Sequence, residues 1–158
     1  MARKDISMST EEIRVFLAKP RAIQVASIGP DGFPHVAPMW YLLLNNKIAF
    51  RSFSKSQKIL NLRRNNRVTL LAEEGERYAD LRGVMIKGHA TFENDPEVIL
   101  QWFGLLSARY TFFGSVPEPL EGAALSKAWG RFAPKNTGVI VEPMKIISWD
   151  HTKLSGSY

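Results

Sequence analysis

The chain predicts a mainly β fold, a partly closed antiparallel barrel with flanking helices at its mouths, and three observations lead there. The first is the order of elements after the N-terminal helix: strand-strand-strand-helix-strand-strand-helix-strand, with short turns between them. The second is size. At 158 residues, with 45% hydrophobic and 23% charged side chains, the sequence makes one domain, residues 1–158, long enough to bury roughly two-thirds of its extended surface. The third is the stretch His35 to Leu42, with Val36, Pro38, Trp40 and Leu42 on one face and Ala37, Met39 and Tyr41 on the other. Neither face suits water. An antiparallel strand covered on both sides needs a core on one side and a second body on the other, most simply an identical subunit, with a bound cofactor covering part of it.

Taken in order, Ser9-Thr-Glu-Glu12 is a capping box: the Ser9 hydroxyl accepts from the third helical N–H while Glu12 reaches back, and the helix runs to about Ala18, before Pro20. Ile13, Phe16 and Leu17 fall on one face, which packs the helix on a sheet. Ala22 to Ile28 is a strand, Gly29-Pro-Asp-Gly32 a turn, and Pro34 to Leu44 the returning strand. Asn45-Asn46 turns the chain into Lys47 to Phe53, giving three antiparallel strands in succession. A basic helix follows, then a strand from Arg67 to Glu73, an acidic loop (Glu73, Glu74, Glu76) and a long strand from about Leu81 to Phe92. Asp95-Pro96 starts a helix over residues 95–112, with the carboxylate as cap and proline in the first turn. That helix is apolar on more than one side, which means deep packing or a place between subunits. A short helix from Ala123 to Trp129 and a last strand from Thr137 to Trp149 complete the chain.

Composition excludes several classes. No cysteine is present, so there is no disulfide, thiolate nucleophile or zinc–sulfur site, which suits a reducing cytoplasm. Met1-Ala-Arg-Lys-Asp-Ile-Ser has no apolar run behind it, and no stretch reaches the ~20 apolar residues that cross a bilayer; a cytoplasmic protein without membrane insertion is expected. His35, His89 and His151 lack metal spacing. There is no dinucleotide or phosphate-loop glycine motif and no nucleophile elbow. The net charge of +6 invites a polyanionic partner. Yet six basic residues (Arg51, Lys55, Lys58, Arg63, Arg64, Arg67) and no acidic one gather between Arg51 and Arg67, with Phe53 the only aromatic among them. Nucleic acid would call for interleaved aromatics, so a small anionic ligand is the better reading.

That cluster sits where a strand, a Ser-rich turn and a helix start meet. Unpaired N–H groups at a helix start attract phosphate, Lys58 adds a point charge, and Arg51 is an ionised guanidinium on an apolar strand that needs an anion. For Pro38, Met39 and Trp40, core packing and the lining of a flat ring are both open.

Ser56-Gln-Lys58 followed by Asn61-Leu-Arg-Arg-Asn-Asn-Arg-Val68, together with Ala26 to Tyr41, Arg82-Gly-Val-Met-Ile-Lys-Gly-His-Ala90 and Ile147-Ser-Trp-Asp-His-Thr-Lys-Leu154, resembles the pyridoxamine 5′-phosphate oxidase-like split β-barrels, the FMN-binding split-barrel fold. The resemblance spans residues 22–154 and is strongest to the branch that uses the deazaflavin coenzyme F420, which has FMN- and haem-binding relatives. It implies a homodimer with Lys58, Ser56, Arg51 and Lys55 toward a cofactor phosphate, Pro38, Met39 and Trp40 along the ring, and Trp149 reaching the neighbouring subunit's site. Ser56 is also expected to cap the helix. Gln57 stands where the vitamin B6 oxidases have Arg, Val36 to Leu42 replaces their Arg-x-x-Leu-Leu-Lys, and their C-terminal Arg-x-His is missing, which argues against pyridoxamine phosphate oxidation. The expected function is hydride transfer from reduced F420 to a small unsaturated or quinone-like acceptor, with FMN the alternative cofactor and a non-enzymatic haem or cofactor carrier the alternative role. The cofactor carries that chemistry, so no acid–base constellation is needed.

Overall fold

In the computed structural model, which describes residues 5–154, seven strands form one antiparallel sheet in the order β2-β1-β5-β6-β7-β4-β3. They are β1 (Ile23–Ile28), β2 (Pro34–Met39), β3 (Leu42–Leu44), β4 (Lys47–Phe53), β5 (Arg67–Glu74), β6 (Arg82–Glu93) and β7 (Asn136–Asp150), with helices α1 (Thr10–Ala18), α2 (Gln57–Arg64), α3 (Pro96–Arg109) and α4 (Gly122–Trp129). Met1 to Lys4, part of the N-terminal stretch read above as charged without an apolar run, lie outside the described residues, as do residues 155–158. No helix among the described residues is long and apolar enough to cross a membrane.

Pro34 to Leu44 is not a single strand in a three-stranded meander: it breaks at Trp40-Tyr41, and its halves lie on opposite edges of the sheet, β2 on β1 and β3 on β4. Seven strands laid flat at ~4.8 Å spacing would hold those edges ~29 Å apart, yet the span from Met39 to Leu42 is ~11 Å at most. The sheet must therefore curl until its edges nearly meet, which makes it a split barrel. Tyr110 secures the break. Its hydroxyl accepts from the Tyr41 N–H at 3.3 Å and donates to the Arg21 carbonyl at 2.9 Å, while the fully buried Tyr41 donates its own proton to the Leu17 carbonyl at 2.7 Å. Backbone groups that leave the ladder are thus paired again, as buried amides require.

Alternating inward residues such as Ile23, Val25, Ile48, Phe50, Leu70, Val84 and Val139 fill the barrel. α1 contributes Phe16 and Leu17 to this core, and α2 contributes Ile59 and Leu62. A second core lies outside the sheet, where Ile99, Trp102, Phe103 and Leu106 of α3 pack on Leu42 and Ala49. This is the deep packing expected of that helix, although Leu105 stays 49% exposed. The Asp95 cap forms as expected, accepting from the Glu97 N–H at 2.9 Å. Asn45 and Asn46 both take positive φ, 50° and 62°, the geometry that fits a two-residue hairpin between twisted strands. Glu74, expected in the acidic loop after a strand ending at Glu73, is the last residue of β5 instead. Glu74 is held between Arg21 at 2.9 Å and Arg82 at 3.5 Å, and Arg82 also reaches Asp150 at 3.1 Å.

The capping box is complete: Glu12 takes the Ser9 N–H at 2.6 Å and Ser9 takes the Glu12 N–H at 3.2 Å. Lys153 Nζ also donates to Glu12 at 2.8 Å, tying α1 to the end of the chain. The Lys153 contact first, and then the Ser9 backbone bond, hold the Glu12 carboxyl down at about 2 from its ordinary 4.5. A carboxyl depressed in the native state stabilises fully above its unfolded value and loses that contribution as pH falls through the native one. The expected outcome is that Tm of the wild type falls more steeply between pH 4.5 and pH 2 than Tm of Glu12→Gln, measured by thermal melts across that window.

Candidate functional site

Strand alternation sorts the candidate residues into two groups at the C-terminal end of β4. Ile48, Phe50 and Ser52 point into the barrel, whereas Ala49 and Arg51 point out toward α3. On the outer side Arg51, Pro38, Met39 and Trp40 converge, and with Ala22 and Leu106 they line a cleft of about 280 Å³. Four of the eight sequence-derived residues thus share one site.

Arg51 is half-buried. Its guanidinium lies 3.8 Å over the Phe103 ring and Nη1 donates to Asn136 Oδ1 at 3.2 Å, but Nε is buried without a partner. No carboxylate pairs with it among the described residues. Burial pushes the group down to about 10 from its ordinary, higher value, so it remains charged at neutral pH while deprived of water. A ring face and a neutral amide compensate only part of that loss.

Beside it, Trp40 stacks on Tyr110 with centroids 4.9 Å apart and planes 8° from parallel, and meets Phe112 edge-on at 4.8 Å. The indole is therefore fixed in orientation. It is still 37% exposed, as Pro38 and Val36 on the same side of β2 are exposed, so this face of the strand has no cover within one chain.

On the inner side Ser52 Oγ sits 3.1 Å from Ser56 Oγ and accepts from Lys58 Nζ at 3.3 Å. Ser56 occupies the N-cap position of α2, but its hydroxyl is spent on Ser52 and makes no cap bond, contrary to expectation. The first turn of α2 thus keeps N–H groups with no side-chain cap. Lys58 is half-buried, and burial lowers its ammonium pKa. Lys55 is exposed on the turn. Trp149 is not brought to either group by its own chain. It covers Gly83 at the far end of β7, where a Cβ on that glycine would meet the indole at 2.1 Å. Eleven residues, about 36 Å of strand, separate it from Gly138, the partner of Arg51.

Sequence reasoning missed Ser52, which joins Ser56 and Lys58, and it missed Tyr110, Phe103 and Asn136. Ser52 carried a usable signal, since it lies four residues before Ser56 on the strand face opposite Arg51. The other three come from segments remote in sequence. Arg82, at the start of β6, is bound to Glu74 and Asp150. No group of three metal-ligating side chains occurs among the described residues.

Comparison with known proteins agrees with this architecture. The family model described as pyridoxamine 5′-phosphate oxidase matches residues 9–135. No curated protein matches the sequence. Among solved structures, the conserved hypothetical protein Rv2991 from Mycobacterium tuberculosis is 35% identical over 100% of this chain and 94% of its own, with a TM-score of 0.86. An F420 reductase is 22% identical over 85% and 94% of the two chains, TM-score 0.64, and a FAD-binding protein from Mesorhizobium loti is 18% identical over 90% and 94%, TM-score 0.61. The last two share the fold. With the family model covering most of the chain and a relative 35% identical across all of it, this protein belongs to the pyridoxamine 5′-phosphate oxidase-like family of split β-barrels.

Proposed function

We propose that the protein is a homodimeric oxidoreductase that binds a phosphorylated flavin-type cofactor in the Arg51 cleft, coenzyme F420 in first place and FMN in second. The observation that carries this reading is Arg51: a desolvated guanidinium with an orphaned Nε and no carboxylate, opening on a cleft whose other walls are Pro38, Met39 and a fixed Trp40. An anionic, ring-bearing molecule satisfies both features at once. Arg51 would hold its anionic part, and Pro38, Met39 and Trp40 its ring, while the Ser52–Ser56–Lys58 cluster, which lies on the inner side of β4 and does not line the cleft, would take a phosphate reaching round the end of that strand. A deazaflavin or flavin supplies two-electron hydride exchange when bound; the protein supplies position, charge and exclusion of water. The order, F420 ahead of FMN, rests on the resemblance of the Asn61-Leu-Arg-Arg and Ser148-Trp-Asp segments to the F420-using branch, and an F420 reductase of the same fold supports it.

A second subunit belongs to the same proposal. At about 280 Å³ the cleft falls just below the ~300–1,000 Å³ common for ligand pockets, and the outward face of β2 is apolar and uncovered. An identical chain packed there would complete the wall, and Trp149, remote from its own cleft, is the residue proposed to reach the partner's. The acceptor would be a small unsaturated or quinone-like molecule stacked on the ring.

Titration of the purified protein with F420, FMN and haemin, followed by absorption and fluorescence, tests the order. Micromolar or tighter F420 binding, and oxidation of reduced F420 by a quinone or enone, are the expected results. Tight FMN binding without F420 affinity reverses the order, and a Soret band transfers the cleft to haem. Lys58→Ala should weaken cofactor binding about tenfold, ~1.5 kcal/mol, the lower end for a charged hydrogen bond, because Lys58 already has Ser52 as a partner. An unchanged Kd would remove it from the site.

A further inference from the structure

Away from the Arg51 cleft, on the outer face of the sheet, β1, β5, β6 and β7 border a groove of about 570 Å³. Cross-strand register places Arg67 opposite His89 and Lys87 opposite Lys145. Lys87 and His89 are two apart on one strand and so share a face. Three permanent cations and an imidazole therefore lie in two facing pairs staggered across β5, β6 and β7. Like charges directly opposite each other in a ladder are destabilising, and nothing nearby relieves them. No acidic residue lines the groove, and Glu142, the residue opposite His89, is engaged by Lys47 at 2.7 Å. Arg67 Nε bonds only the neutral Asn65 Oδ1, at 3.2 Å. No ion pair among the described residues involves Lys87 or Lys145.

The rest of the groove is apolar. Ala26 and Ile28 line it, and so does Met144, 71% exposed. Met144 falls at the irregularity where Lys87 pairs with Lys145 but Gly88 pairs with Pro143, so the bulge adds an apolar side chain beside the cations. Bulges re-aim side chains in this way at functional edges.

We propose that this groove is a second ligand site, for a small molecule bearing two anionic groups on an apolar body. The anions would lie between the facing Lys87–Lys145 and Arg67–His89 pairs, removing the repulsion, and the body would lie along Ala26, Ile28 and Met144. This assignment is independent of the redox reading. It is tested by thermal shift and calorimetry at fixed ionic strength, with pyrophosphate, glutarate and, as a single-charge control, acetate. Saturable stabilisation by either dianion and none by acetate is expected, retained in Arg51→Met and weakened at least tenfold in Lys87→Gln/Lys145→Gln. Without ligand, Tm of that double variant should equal or exceed the wild type's, since the repulsion is gone. Preference for pyrophosphate points to a phosphate ester, and preference for glutarate to a dicarboxylate. Dianion effects no larger than those of matched sodium chloride, or binding that survives the double substitution, would overturn the proposal.

Discussion

Arg51→Met should abolish most cofactor affinity while leaving the fold as stable as before or more so. The two halves of this expectation have different origins. Binding falls by about tenfold to a hundredfold or more, ~1.5–3 kcal/mol, because a charge-assisted hydrogen bond to the anionic part of the cofactor is lost. Stability does not fall, because the guanidinium is desolvated without a carboxylate, and its removal takes away a burial cost on the order of a few kcal/mol. Methionine keeps an unbranched chain on the Phe103 ring and so preserves packing. The pH dependence has a matching sign. A cation whose native pKa lies below its unfolded one is penalised fully at lower pH, and the penalty fades as pH rises above about 10 toward the unfolded value. Kd by fluorescence titration and Tm by calorimetry on the same preparation decide the matter. A variant that melts several degrees lower yet binds the cofactor normally would make Arg51 a structural residue and leave the cleft without its anchor.

Phe103→Ala is expected to be the most destabilising single change near the site, by ~3–5 kcal/mol, or a fall in Tm of roughly 6–20 °C for a chain of this length. Phe103 is 1% exposed. It stacks on Trp129 at 4.8 Å on the α4 side and carries the Arg51 guanidinium, so its loss opens a cavity in the outer core and unseats the cation together. Phe103→Leu separates these effects. It keeps most of the volume, costs ~1.5 kcal/mol or less, and still removes the ring beneath Arg51. Cofactor affinity should therefore drop in Phe103→Leu more than its small stability loss explains, as titration and melting of that variant will show. Equal affinity in Phe103→Leu and wild type would mean that Asn136 alone positions the guanidinium.

The elements with local signatures were legible in the sequence. The Ser9–Glu12 box, the Asp95-Pro96 start and the Asn45-Asn46 turn each declare themselves within four residues, and each forms as expected. The sequence singled out Arg51 as a charge on an apolar strand but grouped it with Ser56, Lys55 and Lys58, whereas strand alternation turns it to the side of Pro38, Met39 and Trp40. The break at Trp40-Tyr41 was not legible, because no glycine or proline marks it. It is held by Tyr110, whose place beside it depends on how α3 packs. The same holds for Phe103 and Asn136 under Arg51. Ser56 fills the cap position without capping, since Ser52, supplied by the neighbouring strand, competes for its hydroxyl. Local chemistry can be read from neighbouring letters, whereas partners brought together by the fold cannot.

The division of one strand between two rims also bears on how the molecule behaves when concentrated. An open sheet offers foreign chains a template along its borders. Here one border is six residues long, with Pro34 and Pro38 lacking N–H groups, and the other is three residues long. Neither is an adequate seed for polymerisation. The molecule closes its own seam with a single covalent crossing, and that crossing also carries Trp40, so the device that guards against fibre growth is built from the same residues as the cleft.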